Sequence, residues 1–206
     1  MKKYALIIPI LLMIFFLFPS VSEAATFGYT TIGVSTSFYY ANRVEGSFFT
    51  VPENGTLTKI TAYHNGGSSA SKGRGVIFLK SDGSVIAYGS ETAIGVGAAW
   101  YDRTLNSGSL SITSGLDYWI TVWEYGTNAE DANYDAETDK GVNAALTYHA
   151  TNPPSSIGAS PTLQSLKFSI YATYTASVSQ SSPPNPNLIL QDSTLIIQDG
   201  QIIIQD

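Results

Sequence analysis

The stretch that decides the fold is residues 117–125, which read DYWITVWEY. Aromatic and β-branched residues dominate it, and both types are enriched in strands. A second stretch, residues 166–175 (LKFSIYATYT), places Phe168, Ile170 and Ala172 at every second position. Alternation with a period of two predicts a strand that buries one face and exposes the other. Both stretches therefore predict a protein built from β-sheet.

Strand patterns of the same kind extend in both directions from these two stretches. Roughly ten of them recur at a spacing of roughly 8–12 residues, with Gly, Pro, Asn and Asp between them, which is typical of a two-sheet sandwich. No segment after residue 24 keeps a helical period for more than about two turns. We therefore predict an all-β fold, a two-sheet jelly-roll β-sandwich over residues 25–175. An immunoglobulin-like sandwich is less favoured because the strands exceed seven and its Cys-Trp-Cys pattern is absent.

The first 24 residues have the features of a secretory signal peptide. Lys2 and Lys3 precede an unbroken apolar run over residues 5–18, and small residues then permit cleavage before Ala25. An uncleaved membrane anchor is the alternative, but the run is shorter than the roughly 20 apolar residues that a spanning helix needs. We therefore predict a secreted protein, extracellular or at the cell surface, with no stable membrane span after signal removal.

Charge and composition exclude several classes of partner. Loss of residues 1–24 removes two lysines and one glutamate, so that 10 basic and 16 acidic residues become 8 and 15 and the net charge becomes −7. Nucleic acids and anionic membranes attract basic patches, so an acidic chain suits neither. The sequence contains no Cys, which excludes disulfide bonds and thiolate metal sites. Stability must come from an ordinary core, with assembly or bound ions as additions.

The chain changes character twice after the predicted sandwich. Residues 176–187 (ASVSQSSPPNPN) are rich in Ser, Pro and Asn, which predicts a linker that is extended near its prolines. Residues 188–206 contain three copies of one pentapeptide at a period of seven, and their heavy β-branching favours a meander of short strands over a coiled coil. In such a meander, one face would carry the candidate assembly residues Leu188, Leu190, Leu195, Ile197, Ile202 and Ile204.

A meander of this size cannot bury two apolar faces, and its edges are open. It is therefore predicted to pair with its own sandwich, with copies of itself or with a partner sheet. The length and stiffness of the linker favour contact with another chain. Self-association through residues 188–206 is accordingly one hypothesis for this protein.

Catalytic motifs are missing from the sequence. The only histidines are His64 and His149, which we place at the surface or at loop edges, and no nucleophile elbow, zinc-protease motif or phosphate loop occurs. Carboxylate pairs suited to glycoside hydrolysis arise by chance in any acidic protein. The sequence therefore predicts that this protein is not an enzyme.

Aromatic residues beside acidic ones form the first candidate site. Sugars present C–H faces that stack on aromatic rings, and their hydroxyl groups bond to acidic side chains. Most of the rings are expected to fill the core, because aromatic side chains dominate the burial of apolar area. The candidates that remain for binding a glycan are Trp100, Tyr101, Asp102, Glu124, Tyr125 and Tyr134.

An acidic segment forms the second candidate site, and calcium is the one cofactor that the sequence suggests. Hard oxygen ligands recur there at every second residue, as in a calcium loop, although an EF-hand would need Gly at position 136 and Glu at position 142. The alternative is a strand whose acidic side chains share one solvent face. The candidate metal ligands are Asp131, Asn133, Asp135, Glu137 and Asp139.

Residues 26–175 resemble the jelly-roll modules of large extracellular proteins from bacteria and archaea. The resemblance rests on TFGYTTIG at 26–33, FTVPENGTLTKITAY at 49–63, DYWITVWEY at 117–125, ANYD at 132–135 and KFSIYATYT at 167–175. Such modules are carbohydrate-binding-like, so the resemblance implies a secreted surface module that binds glycans or mediates adhesion. The tail resembles short repeated strands of surface appendages and phage fibres. It implies the alternative of a structural subunit of an extracellular filament, sheath or particle, assembled through its C-terminal strands.

Overall fold

All regular secondary structure in the described part of the chain is β-strand, which confirms the all-β prediction. None of the residues described forms a helix of the length and apolarity that a membrane span requires. The predicted signal lies outside the described residues, apart from Glu23 and Ala24. The computed structural model describes residues 23–65, 72–93, 97–125, 130–151, 153–158, 161–177, 194–198 and 201–205.

Fifteen strands occur within these ranges. In chain order they are β1 (Ala24–Gly28), β2 (Ser35–Tyr39), β3 (Arg43–Thr50), β4 (Gly55–Asn65), β5 (Lys72–Leu79), β6 (Val85–Gly89), β7 (Thr92–Ala93), β8 (Ala98–Gly108), β9 (Ser111–Ile112), β10 (Asp117–Tyr125), β11 (Glu130–Ala145), β12 (Thr162–Phe168), β13 (Ile170–Ala176), β14 (Thr194–Gln198) and β15 (Gln201–Gln205).

The first thirteen strands form one antiparallel sheet. Its order is β1-β13-β4-β8-β6-β5-β10-β3-β11-β12, while β2 pairs with β11, β7 with β5 and β9 with β4. Strand β6 pairs with β5 on one side and with β8 on the other, so it joins what the sequence predicted as two sheets. A bridge between Ala132 of β11 and His64 of β4 brings the path back on itself. The sheet is therefore continuous and curled.

Strand β10 coincides with the sequence stretch at 117–125 and is buried on both faces. Its inner residues Tyr118, Ile120 and Val122 lie in the main core, which also contains Phe27, Leu57, Ile60, Ile77, Phe168 and Tyr174. Its alternate residues Trp119 and Trp123 lie in a second core on the outer face, with Val44, Phe78, Val142, Tyr148 and Ile157. Burial of both faces explains why this stretch is apolar at nearly every position.

The alternating stretch at 166–175 is two strands rather than one. Strand β12 ends at Phe168, β13 begins at Ile170, and the residue between them changes partner strands. The Ser169 N–H donates to the Asn133 carbonyl oxygen of β11, and its own carbonyl oxygen accepts from the Tyr63 N–H of β4, both at 2.9 Å. The chain thus passes from pairing with β11 to pairing with β4 at this position.

Strands β14 and β15 pair with each other in the tail. Leu195 lies opposite Ile204 and Ile197 opposite Ile202, with a two-residue connection between Gln198 and Gln201. Among the described residues, these two strands form a sheet separate from the other thirteen. The first repeat, residues 188–192, and most of the linker lie outside the described residues.

We predict that Gly46→Ala lowers the free energy of unfolding by about 1–3 kcal/mol, the usual effect of overpacking. A Cβ atom at Gly46 of β3 would fall well inside contact distance of the Ile120 carbonyl oxygen on β10. Urea denaturation measures the change. Thr104→Ala, at an exposed position of β8, is the control that should leave stability nearly unaltered. Equal stabilities for Gly46→Ala and the parent chain would contradict the close packing of these strands.

Candidate functional site

One outer face of the curled sheet carries a cluster of aromatic and polar side chains. The register sets Tyr63 of β4 opposite Trp100 of β8, and Thr61 of β4 opposite both Asp102 of β8 and Tyr171 of β13. Opposite residues in antiparallel strands share a face of the sheet. These five residues alternate with inward-facing residues, so their side chains lie on the outer face of β4, β8 and β13, where Thr61 is buried and the other four are half-buried or exposed. We call them, together with Lys59, the Trp100 cluster.

Trp100 is the centre of the cluster. Its ring lies 5.4 Å from the ring of Tyr63 in an edge-on arrangement and 5.4 Å from the tilted ring of Tyr171. All three rings are half-buried. Edge-on and tilted contacts of this kind hold aromatic rings in defined orientations. Trp100 is therefore braced on two sides while part of its ring surface meets solvent.

Asp102 places a carboxylate within the same cluster. Its side chain is 54% exposed, and it accepts hydrogen bonds from the Lys59 ammonium and from the Thr61 hydroxyl, both at 2.6 Å. Partial burial alone would raise the pKa of Asp102, but these two hydrogen bonds outweigh it and hold the pKa below its ordinary value. The site thus combines an aromatic surface with a fixed, ionised acceptor and a neighbouring ammonium donor.

The structure brings Trp100 and Asp102 together, but the other four predicted ligand residues lie elsewhere. Tyr101 faces the opposite side of β8, with its ring 5.7 Å from His64, and Glu124 is buried at 2% exposure. Tyr125 is exposed and contacts Tyr148 on the second core, and Tyr134 packs against Phe168. Sequence reasoning missed four site residues, which are Tyr63, Tyr171, Thr61 and Lys59. The alternation of their strands could have indicated their face, but the strand order was needed to place them beside Trp100.

The acidic segment forms strand β11, as the alternative to a calcium loop predicts. Two of its acidic side chains accept hydrogen bonds or form ion pairs with other residues of the protein. Asp135 accepts hydrogen bonds from the Tyr29 hydroxyl and, at 3.0 Å, from the Val34 N–H. Glu137 forms ion pairs with Lys167 at 2.8 Å and with Lys140 at 3.5 Å. These contacts use the carboxylates within the protein's own hydrogen-bonding and ion-pair network.

The five predicted metal ligands do not share a single solvent face. Asn133 is buried, and its amide donates to the Gly33 carbonyl oxygen at 2.7 Å. The pairing of β11 with β12 then jumps between Ala136 and Gly141, which breaks the alternation before Asp139. Within the described ranges, no group of three or more His, Cys, Asp or Glu side chains is placed to hold a metal ion.

A polar group, the imidazole of His64, lies against Tyr39 of the main core. His64 is fully buried, so its predicted surface position is wrong, whereas His149 is exposed. Nε2 of His64 lies 2.9 Å from Nη2 of Arg103. A guanidinium only donates hydrogen bonds, so Nε2 must accept and the imidazole is neutral with its proton on Nδ1. Burial first, and then Arg103, hold the pKa of His64 well below its ordinary value.

Glu45 is a second buried group whose protonation is shifted. It is 2% exposed, and its carboxyl oxygens accept from the Tyr40 N–H and the Asn143 amide, each at 2.5 Å. Burial raises the pKa of Glu45 to about 7, although the Tyr40 N–H and Arg43 oppose the shift. Glu45 therefore titrates near neutral pH from within the folded protein.

No family model matches this sequence, and no curated protein matches it either. A functional assignment must therefore come from the chemistry of the chain's own residues. The Trp100 cluster is the surface where that chemistry is most concentrated.

We predict opposite effects of the two buried groups on the pH dependence of stability. The folded-state pKa of His64 lies below the unfolded value near 6.5, so its contribution is present above that pH and is lost as the pH falls. The folded-state pKa of Glu45 is raised to about 7 from 4.5, so its contribution is present below pH 4.5 and is lost as the pH rises through 7.

Urea denaturation between about pH 4.5 and 8 checks this prediction in two variants. His64→Gln keeps an acceptor for Arg103 but removes the titration, so stability should fall less steeply in acid than in the parent chain. In Glu45→Gln, the loss of stability that accompanies a rise in pH toward 7 should disappear. Each change in slope is at most about 1.4 kcal/mol per pH unit, the value for one proton. Unchanged slopes in both variants would contradict these protonation states.

Proposed function

We propose that this chain is a secreted, non-enzymatic surface module that binds glycans and thereby mediates adhesion. The observation that carries the proposal is the Trp100 cluster, in which a half-buried indole lies beside an ionised carboxylate on the outer face of the sheet. Export rests on the signal-like sequence of residues 1–24.

The chemistry of the cluster suits a sugar. The C–H face of a pyranose stacks on an aromatic ring, and the indole of Trp100 is held in place by Tyr63 and Tyr171. Sugar hydroxyl groups donate to carboxylates and accept from ammonium groups, and Asp102 and Lys59 offer one of each. Charge-assisted hydrogen bonds are stronger than neutral ones. The pair is locally neutral, so the cluster favours an uncharged glycan over a strongly charged one.

The proposed fold family agrees with this ligand class by analogy. We propose that the curled sheet is a variant of the jelly roll, to which the sequence motifs at 26–33 and 49–63 point. Proteins with one fold bind many different ligands, so this analogy supports glycan binding only as a class of function. The local chemistry of the Trp100 cluster is the stronger support.

A binding role is favoured over catalysis by the positions of the titratable groups. His64 and Glu124 are buried, and, despite partial burial, the hydrogen bonds from Lys59 and Thr61 hold the pKa of the exposed Asp102 below its ordinary value, which makes it a poor general acid and a weak general base. A general acid or base must come within hydrogen-bond reach of its substrate. Buried groups do not have that access, and we therefore propose a module that does not catalyse a reaction.

A structural subunit of an extracellular filament, sheath or particle is the second candidate function. It is favoured by the repeated sequence of residues 188–206 and by the pairing of β14 with β15 outside the main sheet. Assembly and glycan binding use different surfaces, so one protein could perform both.

We predict that Trp100→Ala abolishes glycan binding or weakens it at least about tenfold, which corresponds to about 1.4 kcal/mol. A glycan array with the mature protein, with added calcium and with a chelator, identifies the ligand, and titration calorimetry gives the affinity. Tyr125→Ala is the matched control, because Tyr125 is an exposed aromatic on another face and should leave the affinity unchanged.

Asp102→Asn should lower the affinity for the same glycan. The melting temperatures of both variants should stay close to that of the parent protein. An array without binding in either condition would refute the proposal. So would a bound glycan whose affinity is the same for Trp100→Ala and the parent chain.

A further inference from the structure

Strand β2 is an edge strand without the usual protection against pairing. Among the described residues it pairs with β11 and with no other strand. Natural proteins protect such edges with charged residues, especially Lys, or with Pro. The sequence of β2 is STSFY, which contains neither. Among the described residues, the edge of β2 that faces away from β11 is therefore open to a further strand.

Apolar side chains are exposed along this edge. Phe38 is 48% exposed, Tyr40 46% and Val34, immediately before the strand, 92%. The rings of Phe38 and Tyr40 contact each other edge-on at 6.1 Å, so they form one patch. The edge strand β12 also exposes an apolar residue, Leu163, but it carries Lys167. The edge strand β1 has Phe27 as its only large apolar residue, and Phe27 is buried.

The tail contains strands that lack further partners in the described chain. Strands β14 and β15 pair only with each other among the described residues, and each has five residues, the same length as β2. An isolated two-stranded ribbon is marginally stable in water. Strands β14 (TLIIQ) and β15 (QIIIQ) contain no charged residue and no Pro, so these strands also lack edge protection. An open edge and an open ribbon thus occur in the same chain.

We propose that the free edge of β2 accepts the β14–β15 hairpin of a second copy of this chain. The added hairpin would continue the main sheet beyond β2, with backbone hydrogen bonds supplying affinity and the exposed Phe38 and Val34 supplying apolar contact. The contact joins unlike surfaces on the two copies, so it repeats from copy to copy. Repetition of this kind gives a ring if the rotation closes and a filament if it does not.

A second copy fits better than the chain's own tail. Both elements are present in one chain, yet the described residues leave them in separate sheets. Charge complementarity supports contact between a tail and the β2 edge, because each tail repeat ends in an aspartate while the exposed cation Arg43 lies 5.7 Å from the Tyr40 ring beside β2. The proposal is independent of glycan binding, since the Trp100 cluster lies on a different part of the sheet.

The first experiment measures the mass of the full mature chain by sedimentation over a range of concentrations. We expect a mass above that of one chain that rises with concentration. Phe38→Lys, which protects the β2 edge, and Ile203→Pro, which removes a backbone donor of β15, should each weaken association at least about tenfold. Thr104→Lys, which adds the same charge at an exposed position of β8, is the matched control and should associate like the parent.

Thermal melting of each variant distinguishes a loss of association from a loss of folding. Strand β15 lies outside the thirteen-stranded sheet, so Ile203→Pro should melt at the same temperature as a monomeric parent. A parent chain that stays monomeric at every concentration overturns the proposal. Association that persists unchanged in both Phe38→Lys and Ile203→Pro also overturns it.

Engineered cysteines identify which copy supplies the hairpin, and the natural chain contains no Cys that would interfere. Chains with Phe38→Cys are mixed with differently tagged chains that carry Ile202→Cys or Ile203→Cys, so that both faces of β15 are sampled. We expect a disulfide between unlike chains in at least one mixture. A chain that carries both substitutions and closes only an internal disulfide at high dilution and at high concentration would overturn the role of a second copy.

Discussion

Main-chain pairing on both sides of β10 is the interaction on which the rest of the structure depends. Strand β10 pairs with β3 from Asp117 to Trp123 and with β5 from Tyr118 to Tyr125. Its side chains enter the main core on one face and the second core on the other. A strand buried in this way has no water for its peptide groups, so both neighbours are obligatory. The remaining strands extend from these three until β11 returns to β4 at His64.

The covering of one outer face of the curled sheet also determines which outer face is accessible to a ligand. The outer face of β5, β10 and β3 is covered by the segment after β11, where the Trp123 indole N–H donates to the Leu146 carbonyl oxygen at 2.9 Å and Ile157 is buried. Among the described residues, no such segment covers Trp100 on the outer face of β4, β8 and β13, and its ring stays half-buried. Two tryptophans of β10 are therefore structural, and the tryptophan of β8 is left for the proposed binding role.

Local patterns predicted most of the strands but not their arrangement. The composition of 117–125 predicted β10, because a strand buried on both faces must be apolar along its whole length. The break at Ser169 was not predictable, because it arises where the chain exchanges one partner strand for another. His64 was placed at the surface since its partner Arg103 lies 39 residues away in sequence. Four of the six residues of the Trp100 cluster were missed for the same reason: cross-strand neighbours depend on strand order, which a single sequence does not contain.

Hydrogen–deuterium exchange under native conditions tests most directly the claim that one continuous sheet holds the molecule together. If β6 joins both halves and β11 returns to β4, the slowest amides of β10 and of β4 should exchange with the same opening free energy, equal to that of global unfolding. Two separate sheets would open separately. Amides of β4 and β13 that exchange through a distinctly smaller opening than those of β10 and β5 would contradict the continuous sheet.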